Sequence, residues 1–89
     1  MRTVTVVLDG DFEGWEATAR ADFPARWLAE FTTADYEGLI TFMDRILVSH
    51  NMPDTNDEIA ASSADVDPYD GLIKMADAIL DAIGKLPKR

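Results

Sequence analysis

Residues 2–8, Arg-Thr-Val-Thr-Val-Val-Leu, run directly into Asp9-Gly10-Asp11-Phe12-Glu13-Gly14, and this junction constrains the fold more than any other stretch. The branched β-carbons of Val and Thr crowd a helix and suit the pleated backbone, so the first run predicts a strand. Asp-Gly after such a run predicts a hairpin bend, because glycine reaches positive φ at no steric cost. Phe12 to Arg20 then alternates loosely, with Trp15, Ala17 and Ala19 on one side against Glu16, Thr18 and Arg20 on the other. It reads as the return strand of a hairpin over residues 2–20. A short helix is the competing reading, since alanine is a poor strand former.

Downstream the period changes. Asp22-Phe23-Pro24 is a helix-start signature, because proline at the first helical position fits the required φ and lacks an N–H that would go unpaired. The helix it opens, over 24–31, stacks Trp27, Leu28 and Phe31 on one face. Thr32-Thr33 interrupts and caps a second helix over 34–49, where Leu39, Met43, Ile46, Leu47 and His50 recur at helical spacing beside Tyr36, Ile40 and Phe42. Asn51-Met52-Pro53 ends that helix. Residues 52–67 are small, polar and acidic and predict a loop, of a length that is uncommon in compact domains and often functional. Asp67-Pro68 repeats the capped start, and the last helix, 68–86, carries Leu72, Ala76, Ile79, Leu80 and Ile83 on one stripe. The expected architecture is α+β, an N-terminal β-hairpin packed on three helices in one small domain, 1–89.

Composition narrows the function classes. A chain of 89 residues without cysteine has room for one core and no disulfide scaffold or Cys-based zinc site. No apolar run approaches the roughly 20 residues a bilayer requires, and the N-terminus lacks the form of a signal peptide, so neither a membrane nor secretion is expected. Seventeen acids against eight bases give a net charge of −9, which repels phosphate backbones and favours basic partners or self-solubilisation. The acids concentrate in residues 52–70, which hold six of them and no base.

Three constellations resemble chemistry. Asp9, Asp11, Glu13 and Gly14 match the first half of a calcium loop, but the twelfth position, which must supply a bidentate carboxylate, is Arg20. Asp54, Asn56, Glu58 and Asp65 match the same pattern, with Ile59 where the turn needs glycine. His50 is the sole histidine; at a helix C-terminus a protonated ring would meet the helix dipole favourably, and that structural role outweighs catalysis or metal binding. No catalytic residue, metal site or cofactor is expected. The stripe of Trp15, Trp27, Phe31, Phe42 and Met43 is most simply core. In a domain this small, part of it (Trp27, Phe31, Phe42 and Met43) is also the candidate surface for an apolar partner helix.

Leu8-Asp9-Gly10-Asp11-Phe12-Glu13-Gly14-Trp15, His50-Asn51 and Leu86-Pro87-Lys88, in their order along the chain, resemble the tail assembly chaperones of long-tailed actinobacterial bacteriophages. One departure lies at His50, where the family pattern has tryptophan before the asparagine. The resemblance implies a non-catalytic, acidic protein of virion assembly, acting in the host cell cytoplasm and absent from the mature virion. It implies binding to the long, apolar, helical tape-measure protein, recruitment of tail-tube protein, and a short and a longer form made by ribosomal slippage near Leu86-Pro87-Lys88. Self-association is compatible with it. An alternative from another class is an acidic inhibitor that mimics nucleic acid and blocks a host DNA-binding protein, which requires carboxylates arrayed on one face.

Overall fold

The computed structural model describes residues 1–29, 31 and 35–87. The fold is α+β. Its elements run β1 (Thr3–Val7), β2 (Glu16–Arg20), α1 (Ala25–Ala29), α2 (Tyr36–Ile46), β3 (Leu47–His50) and α3 (Tyr69–Gly84). The strands form one antiparallel sheet in the order β1-β2-β3.

The predicted hairpin is present, with a longer connection than a two-residue bend. Gly10–Phe12 form a 3-10 turn, and both Gly10 and Gly14 take positive φ, so two glycines carry the reversal. β2 begins at Glu16, four residues later than the alternation suggested, because Phe12 and Trp15 fold against each other inside the connection with ring centroids 5.0 Å apart. Val4, Ala17 and Ala19 line the inner face and are buried. Alanine is tolerated in β2 because that face is crowded; its low strand propensity is overridden by burial.

The expected helix over 34–49 is corrected at both ends. Asp35 caps α2, its carboxylate accepting the Glu37 N–H at 3.1 Å; Thr32 and Thr33, the predicted cap, lie outside the described residues. At Leu47 the backbone turns extended and the chain pairs with β2. Leu47, Val48, Ser49 and His50 therefore form a third strand in place of a last helical turn. Leu47 and Val48 suit either state, and the unpaired edge of β2 decides, since its N–H and C=O groups need partners. The pairing is Ala17 with His50, Thr18 with Ser49 and Ala19 with Leu47, which leaves Val48 as a bulge.

The core gathers Leu39, Phe42, Met43 and Ile46 of α2 with Leu72, Met75, Ala76 and Ile79 of α3, beneath the inner face of the sheet. α3 lies along β1. It runs over Tyr69–Gly84, within the expected 68–86, with Pro68 at the N-cap position and no side chain capping it; the Asp67 N–H donates to the Pro53 carbonyl at 2.9 Å. The Asp67–Pro68 peptide bond is cis.

Residues 52–67 are more ordered than a solvated loop. Met52, Ala60, Ser63 and Val66 are buried, and Pro53 bridges Ile59. Asp44 of α2 accepts from the Ser62 hydroxyl at 3.0 Å and the Ser63 N–H at 2.8 Å, which pins the segment to the helix. Three apolar anchors and a carboxylate clamp therefore hold a stretch whose composition reads as loop. The first helix is shorter than 24–31, with α1 ending at Ala29, and Glu30 lies outside the described residues.

Candidate functional site

The predicted partner-binding residues separate into two layers. Phe42 and Met43 are 1% and 0% exposed, so they belong to the core and offer no surface. Trp27 and Phe31 are half-buried and packed against the core. Phe31 meets Phe42 with centroids 5.0 Å apart, and Phe23 meets Phe42 edge-on at 5.3 Å. Phe23 and Trp27 stack in nearly parallel planes at 6.3 Å. The aromatic cluster is thus continuous from core to surface, and α1 rides on it. No residue of α1 is buried, and Leu28, expected beside Trp27 and Phe31, is 45% exposed.

Two cations flank the indole of Trp27. The guanidinium carbons of Arg20 and Arg45 lie 5.2 and 5.5 Å from its ring centroid. Within about 6 Å of an aromatic face, such contacts are attractive through the ring quadrupole. The Nε of Arg20 is buried without a hydrogen-bond partner among the described residues, and its guanidinium packs on Trp27. Sequence reasoning missed both arginines, because their common neighbour is set by tertiary structure.

His50 is not at a helix terminus. It sits in β3, where Nδ1 accepts the Met52 N–H at 3.0 Å. Burial pushes the ring below its ordinary pKa of 6.5, while the Ala60 backbone and the Asp44 carboxylate pull the other way. The expected favourable meeting of a protonated ring with a helix dipole is therefore corrected. A proton on Nδ1 would face the Met52 N–H, donor against donor.

Asn51, beside it, joins β3 to the first connection. Its Oδ1 accepts the Glu16 N–H at 2.7 Å, and its Nδ2 donates to the Gly14 carbonyl at 2.9 Å. Trp15, the last residue of the motif that carries the resemblance, lies on α3. A β-carbon at Gly71 would fall within its ring, so only glycine leaves room for the indole. The outer side of β2 and β3 carries a groove of about 270 Å³ lined by Glu16, Ala17, Thr18, Ser49, His50 and Asn51.

Asp9, Asp11 and Glu13 are all exposed. Among the described residues, no group of three or more His, Asp or Glu is arranged to hold a metal ion. No helix among them is long and apolar enough to cross a membrane.

No protein-family model matches the chain, and no solved structure gives a significant match. A carbamate kinase of Enterococcus faecalis, Carbamate kinase 2, is 38% identical over 64 residues, 72% of this chain and 20% of that protein. The chain therefore spans about a fifth of the curated relative it matches, too small a share to carry an activity across.

Proposed function

We propose that the protein is a tail assembly chaperone of a bacteriophage: it binds and solubilises the tape-measure protein and assists tail-tube assembly without catalysing a reaction. The sequence resemblance motivates this reading, and one structural observation supports it. α1 buries none of its residues, yet presents Trp27 and Leu28 beside Phe31, over an aromatic cluster continuous with the core. Half-covered aromatic surface of this kind suits an apolar client helix, which docks through residues at helical spacing. The net charge of −9 keeps such a complex soluble. Its place of action is the host cytoplasm during assembly, before the virion is complete.

Co-expression with a long helical tape-measure protein tests the reading. The soluble fraction of the client should rise and the two chains should co-purify, and Leu28→Asp should reduce both effects. An insoluble client together with no co-purification would sink it.

A further inference from the structure

The groove between β2 and β3 has an origin in the strand ladder. In an antiparallel pair, hydrogen-bonded partners exchange two backbone bonds. Glu16 and Asn51 exchange only one, Asn51 N–H to Glu16 carbonyl at 3.1 Å, and the second is replaced by the Asn51 side chain accepting the Glu16 N–H. The amide of Asn51 is thus wedged into the end of the ladder and tied again to Gly14. Because Ala17 and His50 pair with each other and Ala17 turns inward, the outer side is floored there by backbone between the Glu16/Asn51 and Thr18/Ser49 rows.

The rim is made of acceptors and dual-function hydroxyls. Glu16 is exposed, and its carboxylate makes no hydrogen bond or ion pair among the described residues. The Ser49 hydroxyl is likewise unengaged among them, and the Thr18 hydroxyl is held by Thr5 at 2.9 Å. None of the six lining residues is a lysine or arginine, and Nδ1 of His50 is occupied in accepting the Met52 N–H.

We infer that this groove is a seat for an arginine side chain of a partner polypeptide, with Glu16 as its counter-ion and Ser49 and Thr18 as flanking acceptors. Charge selects a cation, since the lining carries one carboxylate and the chain carries −9. Shape selects guanidinium over ammonium, because a planar fork of five donors can address acceptors on both walls, whereas an ammonium is a compact point charge. The wall on the Asn51 side is fixed in advance by two hydrogen bonds, which limits the ordering cost of binding. This site lies apart from α1 and does not rest on the chaperone reading.

The test is a titration of the full, isotope-labelled chain with an acetylated and amidated Gly-Arg-Gly peptide, followed by NMR. Its counterpart with citrulline, a neutral isostere, is the control. Saturable shifts are expected at Glu16 to Thr18 and Ser49 to Asn51, absent with citrulline. Glu16→Gln should weaken binding about two- to fivefold, the size of an exposed ion pair. Asp57→Asn, at another exposed carboxylate, should leave it unchanged. Equal response to citrulline, an equal loss in both variants, or shifts centred on residues 54–58 would overturn the assignment and show general attraction to an acidic surface.

Discussion

Gly71 lies on the buried face of α3 in its first turn, where alanine would ordinarily favour the helix by at most about 1 kcal/mol. The Trp15 ring fills the space a β-carbon would need. Overpacking costs typically about 1–3 kcal/mol, so the steric term should prevail and Gly71→Ala should be destabilising on denaturant unfolding. Gly84→Ala is the matched comparison, since a β-carbon there meets nothing within 4 Å; it should be neutral or slightly stabilising. Equal effects at the two positions would mean that Trp15 does not dock on α3 as described. The sign of a pH effect is set by His50 in the same way, through its immediate contacts. Its folded pKa is lowered, so the unfolded chain binds the proton more readily, and the contribution of the neutral ring is complete above 6.5. That contribution is lost as pH falls from 6.5 towards the lower folded value. Unfolding midpoints measured across this window should fall with acidification in the parent chain and fall less in His50→Gln.

Among the elements, α1 and α2 differ most. α2 buries Leu39, Phe42, Met43 and Ile46, whereas α1 has no fully buried residue and only Trp27 half-buried against the core. Segments with few buried apolar contacts open at low free energy, so amides of α1 should exchange with solvent far faster than those of α2. Leu28→Asp should change stability by less than about 0.5 kcal/mol, as exposed substitutions do, and Leu39→Ala should cost about 2–5 kcal/mol. A loss above about 2 kcal/mol for Leu28→Asp would make α1 an integral part of the core and withdraw the surface proposed for a client. β3 shows why an element can be invisible in a sequence. Ile46, Leu47 and His50 continue the helical stripe of Leu39 and Met43, and nothing local reveals that β2 has an open edge to fill. The segment 52–67 was obscured in the opposite sense: isolated Met52, Ala60 and Val66 show no period, and only their common burial makes them anchors.

For the molecule as a whole, charge opposes compaction. A net −9 on 89 residues produces self-repulsion that salt screens over about 30 Å at 0.01 M ionic strength and about 8 Å at 0.15 M. The melting temperature should therefore rise between these two conditions, as followed by circular dichroism; a fall would show that attractive surface pairs dominate. One such pair is that of Lys85 and Asp81, both exposed, at 2.9 Å.

The sequence by itself determined the α+β class, the first two strands, the presence of three helices and Gly10 as the bend of its opening. These follow from backbone preferences and periodicity, which act over a few residues. Only tertiary structure decided that Phe42 and Met43 lie in the core with Trp27 and Phe31 packed against it, that Asn51 wedges the β2/β3 ladder, and that Gly71 receives Trp15. Glu16 and Asn51 stand 35 positions apart, and Trp15 and Gly71 further still, so their meeting depends on how the whole chain buries its apolar surface. No local preference encodes that choice, and both the groove and the aromatic surface are products of it.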